Sequence, residues 1–245
     1  MELLEATSHR PWPVPEEPWV LKQSWNDLMF AHWPVPRNRV RELVPSFLEL
    51  DTFDNEAWLG IAPFRVTDMS PRGLPALPWV SSFSEINVRT YVVYGGIPGV
   101  YFFSLDANSA IAVGGGSSMF HLPYFLAEMQ VEDDRGRLSC TSRRLSGPDA
   151  TFQAQYSSAG PLFEAQEGTL EYWLTERYCL YTHDAAGHGY RAEIHHRPWQ
   201  LQTAEADIAI NTMAEAAGLR CSATAPLLHF ARRLDAIMWL PQALG

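Results

Sequence analysis

The sequence predicts a mainly β fold, a sandwich or closed barrel with a few short helices. Three observations predict it. Alternating apolar and polar residues recur in short segments, Gly- and Pro-bearing turns separate them, and helical spacing occurs only in brief interruptions. At 245 residues the chain is long enough to bury a core without a disulfide or metal staple. Residues 1–245 are expected to form a single domain.

From the N-terminus, Pro11, Pro13, Pro15 and Pro18 predict an extended surface arm over residues 1–18. A first strand is expected over Trp19–Phe30. Arg37–Val44 has helical spacing, with Val40, Leu43 and Val44 on one face and Pro45 as the stop. Trp58–Val66 reads as a strand in which Pro63 marks an edge or a bulge. Pro71, Gly73, Pro75 and Pro78 make residues 68–79 a loop.

Glu85–Tyr94 is the clearest strand. Alternation puts Ile86, Val88, Thr90, Val92 and Tyr94 on one face. Glu85, Asn87, Arg89, Tyr91 and Val93 share the other. A longer loop over Gly95–Gly99 leads into a second strand, Val100–Leu105. Residues 107–129 switch period and predict a small helical insertion interrupted by glycines. Strands resume over Arg137–Arg144, Thr151–Ser157, Arg177–Thr182 and Tyr190–His196. Turns at Gly147-Pro148, Gly160-Pro161 and Asp184–Gly189 divide them, and Leu227–Leu240 closes the chain.

The formal net charge of −10 argues against nucleic acid or an anionic membrane as partner. No run reaches the length of a membrane-spanning helix, and Met1–Arg10 lacks the apolar core of a secretory signal. A cytoplasmic protein is expected. Cys140, Cys179 and Cys221 are widely spaced, as suits structural thiols in a reducing compartment. Lys22 is the only lysine, so amine chemistry has one candidate side chain.

Several motifs fail on their spacing. Gly114-Gly115-Gly116-Ser117-Ser118 lacks the lysine of a phosphate loop, and Met119 stands where a dinucleotide motif or a nucleophile elbow needs glycine. A flexible joint before a helix is the plainer reading. Adjacent His195 and His196 point to opposite faces of a strand, so no metal is expected. One imidazole packed beside Trp199 and one exposed is the alternative. His183 and His188 fall in a turn open to solvent. No cofactor is implied. The polar face of Glu85, Asn87, Arg89 and Tyr91 has two readings: the wet outer side of a sheet, or the lining of a barrel.

Leu105-Asp106, three variable residues and Ala110-Ile111-Ala112-Val113-Gly114 resemble the segment before the catalytic lysines of acetoacetate decarboxylase. Val40–Asp51 resembles that family's early helix, and His229, Asp235, Trp239-Leu240-Pro241 its closing strand. Closer still is the similarity to the uncharacterised bacterial YqjF-like family, DUF2071, of the same superfamily. It rests on Asp51–Trp58, Pro63-Phe64, Phe83-x-Glu85-x-Asn87-Val88-Arg89-Thr90-Tyr91, Pro98–Asp106, His121-Leu122-Pro123-Tyr124 and Glu193-x-His195-His196-x-Pro198-Trp199. The resemblance implies a closed, cone-like antiparallel β-barrel of acetoacetate decarboxylase-like type, with a central cavity.

It also implies what is lost. The decarboxylase's Y-P-K-K corresponds to Leu122-Pro123-Tyr124-Phe125, and without those lysines no imine can form there. Its pocket glutamate corresponds to Glu85, 39 residues before Tyr124. An arginine usual in both families falls on Ser117, which leaves anion binding at that spot in doubt. Glu85 is therefore the candidate general base or hydrogen-bond acceptor. Arg65 and Arg89 are candidate cations for a carboxylate or carbonyl oxygen. Tyr91, Tyr101, His121 and Tyr124 are candidate donors, and Ser117 completes the ligand-binding set. A mutual ion pair between Glu85 and Arg89 is the structural alternative. A small-molecule binding protein is the first expectation. A metal-independent lyase, hydrolase or isomerase using Glu85 is the second. The third is a structural role, with Trp12, Trp19, Trp25 and Trp33 forming a homo-oligomer interface.

Overall fold

The computed structural model describes residues 2–77 and 81–245. Pro78 and Trp79, at the end of the expected 68–79 loop, lie outside them. Among the described residues the chain runs α1 (Glu2–Glu5), β1 (Leu21–Val35), α2 (Arg37–Leu43), β2 (Glu49–Leu50), β3 (Ala57–Pro71), β4 (Phe83–Tyr94) and β5 (Ile97–Ala107). It continues with α3 (Ala110–Phe120), β6 (Tyr124–Asp134), β7 (Arg137–Arg144), β8 (Thr151–Phe163) and α4 (Leu170–Thr175). Then come β9 (Cys179–His183), β10 (Gly189–His196), β11 (Leu201–Asn211), α5 (Met213–Ala216), β12 (Leu227–Met238) and β13 (Gln242–Ala243).

The strands form one 13-stranded sheet that closes on itself twice. The first ring runs β5-β6-β7-β8-β11-β12-β1-β3-β4 and returns to β5; the second runs β5-β9-β10-β12-β1-β3-β4 and returns to β5. They share a wall of β12, β1, β3, β4 and β5. Pairing is antiparallel except where β5 meets β6 and β9.

The first ring is filled. Ile86 and Val88 of β4 pack in one cluster with Met29, Ile61, Leu138, Phe152 and Phe230. Because the shared wall has this core behind it, β4 is buried along both faces from Phe83 to Val88. At roughly 25 cal/mol for each Å² of apolar surface removed from water, such clusters supply the main drive to fold.

Several local expectations are narrowed or corrected. Of the two readings of Pro63 the bulge holds and the edge does not, since Pro63 lies on an interior strand, between β1 and β4. Its missing N–H is tolerated because β1 bulges opposite it: Asp27 takes φ 52° and the register slips between Asn26 and Ala31. The β4–β5 hairpin closes in two residues, Gly95 and Gly96, since both adopt positive φ and Tyr94 already pairs with Ile97. Gly160-Pro161 is a kink inside β8, where the β8–β11 register shifts.

The insertion after Ala107 is helical only to Phe120, and β6 begins at Tyr124. Its glycines sit within α3 instead of preceding a helix. Ser109 caps that helix by accepting from the Ala112 N–H, and His121 ends it in the left-handed region at φ 52°. The N-terminal arm is anchored, not superficial. Arg10 is buried, donating to the Glu193 carboxylate at 2.7 Å and to the Ile194 carbonyl at 2.5 Å. Trp12 adds a bond to Glu193 at 2.8 Å.

Candidate functional site

The second ring is hollow. It encloses a cavity of about 470 Å³. β4 turns Phe83, Glu85, Asn87 and Arg89 toward it, the opposite face from Ile86 and Val88. β1 contributes Trp25 and Phe30, β3 Phe64, and β5 Leu105. α3 and Tyr124 close one side, while Arg177, His196 and Trp199 line another. Among the lining residues, Leu74, Leu77, Ile111 and Met119 are also exposed to solvent. They form an apolar rim from the 72–77 segment and α3.

Glu85 is 4 % exposed. Its carboxylate accepts from the Tyr124 hydroxyl at 2.8 Å. Burial pushes its pKa up to about 7, against the opposing pull of Tyr124 and Asn87. Burial, then the Glu85 carboxylate beside it, raises Tyr124 well above the ordinary phenol range. Gly116 is explained by contact: a Cβ there would stand 2.2 Å from the Tyr124 ring, whereas Gly114 and Gly115 have open space beside them. At Gly116 the helix gives up about 1 kcal/mol of intrinsic propensity so that the ring can lie against it.

Arg89 does not pair with Glu85. It donates to the Leu174 carbonyl at 3.1 Å and stands 5.1 Å from the Phe30 ring centroid and 5.7 Å from that of Tyr91. Its Nε is buried without a partner among the described residues. Spacing along a strand, at ~3.3 Å per residue, separates Glu85 from Arg89 by roughly 13 Å, too far for a direct bond.

The cavity thus gathers Glu85, Arg89 and Tyr124. Tyr91 is fully buried and is not among the lining residues; it is bonded to His32 Nε2 at 2.8 Å and donates to the Leu174 carbonyl at 3.0 Å. Arg65 pairs with Asp27, which Arg232 also meets at 2.9 Å. Tyr101, Ser117 and His121 line a separate, more open depression with His183. Sequence reasoning missed Arg177 and His196 as wall residues. The only signal for either was the Glu193–Trp199 motif, which names His196 without saying which way it faces.

His195 and His196 are both buried, contrary to the expectation that one would be exposed. His195 meets the Leu3 carbonyl at 2.8 Å, and His196 lies 5.4 Å from the Trp199 ring. Burial holds His196 down at about 4. The four tryptophans do not make one interface. Trp33 is in the filled core, Trp25 is on the cavity wall, Trp12 packs on Tyr178 and Trp19 stacks with Arg72. No group of His, Cys, Asp and Glu suited to a metal occurs among the described residues. No described helix is long and apolar enough to cross a membrane.

The geometry is that of the acetoacetate decarboxylase fold. Acetoacetate decarboxylase from Legionella pneumophila matches with a TM-score of 0.65 at 13% identity, over 98% of this chain and 94% of its own. The enduracididine biosynthesis enzyme MppR complexed with pyruvate matches with a TM-score of 0.64 at 10% identity, over 96% and 93%. Such identities establish shared shape. The uncharacterized protein YqjF of Bacillus subtilis is 46% identical over 226 residues, 92% of this chain and 93% of that protein. The profile of DUF2071, described as an uncharacterized conserved protein, matches residues 22–235, and the chain belongs to that family.

Proposed function

We propose that the chamber takes up a small organic molecule with an apolar body and a keto or acidic head. The observation that carries this reading is a 470 Å³ cavity, largely apolar, with Glu85, Asn87 and Arg89 on one strand of its wall. Concave apolar sites with a few placed polar groups are the usual form of small-molecule pockets. MppR, of similar fold, is described in complex with pyruvate, which supports an acidic or keto ligand. A cytoplasmic setting fits the three free thiols.

A second reading, in which the protein is an enzyme, is favoured by Glu85 itself. A buried carboxyl with a pKa of about 7 is poised to give or take a proton at neutral pH. Imine chemistry has no support: Lys22 is not among the described chamber-lining residues, although its neighbours Leu21 and Gln23 are. No borohydride-trapped adduct with acetoacetate is expected, and finding one on Lys22 would overturn that.

The test is a thermal-shift screen of the full chain against keto and carboxylic acids, followed by Glu85→Gln. Stabilisation by a subset is the expected result. A screen in which no compound raises Tm counts against the chamber as a ligand site. If Glu85→Gln abolishes turnover of a hit while binding persists, the enzyme reading holds. If no hit turns over, the binding reading stands alone.

A further inference from the structure

The chamber wall carries more positive charge than its structural contacts neutralise. Arg177 is 6 % exposed. Its Nη1 donates to Asp51 at 2.6 Å and its Nε to the Trp173 carbonyl at 2.6 Å. Its Nη2 is buried with no partner among the described residues. Arg89 bonds only a backbone carbonyl and leaves its Nε unsatisfied. Both guanidinium groups flank one ring: Arg177 lies 5.0 Å and Arg89 5.7 Å from the Tyr91 centroid. Two cations therefore share one bonded carboxylate, Asp51, among the described residues.

Arg89 is half-buried and has no carboxylate partner among the described residues, and taking a cation out of water without a counter-charge is unfavourable. Stacking on aromatic faces offsets part of that cost. An unfilled donor on each guanidinium, beside an apolar chamber, fits an incoming anion. Near Arg89 the surroundings are apolar or neutral. Phe30 and Phe102 line the wall, and burial, then Arg89 itself, holds His32, stacked on Phe30, well below the ordinary histidine range. Glu85, four residues along β4, is the one carboxyl group among the described lining residues.

We infer that Arg89 and Arg177 form an anion subsite that takes the carboxylate of an aliphatic or aryl monocarboxylic acid, whose apolar body extends through the chamber toward the rim of Leu74, Ile111 and Met119. This rests on the chamber being a ligand site. It adds the ligand's charge, its orientation and a residue, Arg177, that the motif pattern does not mark. While Glu85 holds its proton, one uncompensated positive charge remains on the wall, which matches a monoanion. The apolar rim matches a chain that reaches solvent without a second charged group.

The test is calorimetric titration of the full chain with octanoate, octan-1-ol and acetate at pH 6, where Glu85 keeps its proton and the acids are ionised, on the unmutated protein and on Arg89→Gln, Arg89→Lys and Arg177→Lys. Octanoate is expected to bind at least about tenfold more tightly than octanol, because charge-assisted bonds to a desolvated guanidinium are strong. It is also expected to outbind acetate, which lacks the apolar body. Arg89→Gln should erase the preference for octanoate and leave octanol unchanged. Arg89→Lys and Arg177→Lys should keep part of it. Equal binding of octanoate and octanol overturns the inference while the chamber reading survives. Acetate binding as tightly as octanoate overturns the orientation along the chamber. Failure of both eight-carbon probes overturns the chamber reading as well. Should a variant not fold, the three probes on the unmutated chain still decide the matter.

Discussion

Two compartments back onto the same strands and differ in what fills them. Behind β4, Ile86 and Val88 meet Phe152, Leu138 and Phe230 in a packed core. In front of it, Glu85, Asn87 and Arg89 face about 470 Å³ of open space. Charge follows the same division. Away from the chamber, two buried carboxylates hold cations: Asp106 is held by Arg144 at 2.6 and 2.8 Å, and Glu193 by Arg10 at 2.7 Å. On the chamber wall Glu85 has no cation and Arg89 no carboxylate among the described residues. On that wall Arg177 is the cation that does have a carboxylate, Asp51, so the open face carries fewer neutralised charges than the pairs set away from it.

The largest expected effect lies on the filled side. Phe152→Ala, at a fully buried position, should cost about 3–5 kcal/mol in urea unfolding, the transfer loss plus a new cavity. Phe64→Ala on the chamber wall should cost less, because one side of that ring already lacks partners. Equal losses would erase the distinction between the compartments.

Glu85→Gln should act in the opposite direction. The folded chain holds the Glu85 proton up to about pH 7, while the unfolded chain releases it near 4.5. Stability therefore falls as pH rises through that window and stays lower above it. The shift corresponds to about 3 kcal/mol. The substitution keeps an acceptor for Tyr124 and should raise stability by up to that amount at pH 8, with little change at pH 4. An identical gain at both pH values would show that proton release is not its cause.

A smaller effect separates the compartments by volume. Ala154→Leu, inside the packed cluster, should cost about 1–3 kcal/mol from overpacking. Ala62→Leu, on the chamber wall, should cost less and reduce ligand uptake, both read by calorimetry. The smallest effect is at the surface. Arg143→Ala breaks a pair with Glu128 in which both side chains are more than 60 % exposed, and should change stability by less than about 1 kcal/mol.

Much of the fold was legible because its signals are local. β7 falls where alternation placed it, Arg137–Arg144, and α2 follows the spacing of Val40, Leu43 and Val44 up to Pro45. Other elements were masked by competing local signals. β6 was hidden under the helical period before it. β11 alternates Ala204, Ala206 and Ile208 with Glu205 and Asp207, but its inner residues are mostly too small to stand out. α4 spans only Leu170–Thr175, under two turns, with Thr169 capping the Tyr172 N–H. Pro63 left an edge and a bulge both open, because the bulge that accommodates it is on a partner strand 36 residues earlier, at Asp27.

By itself the sequence determined the β-rich class, the single lysine and the alternation of β4, since each follows from residue type and spacing along the chain. Which side of β4 faces a chamber was decided by tertiary structure alone. A strand fixes only that its two faces differ; whether a face meets water, a packed core or a cavity depends on which distant strands close the ring. The same holds for Arg177, whose place beside Arg89 at the Tyr91 ring follows from closure of the second ring through β9 and β10.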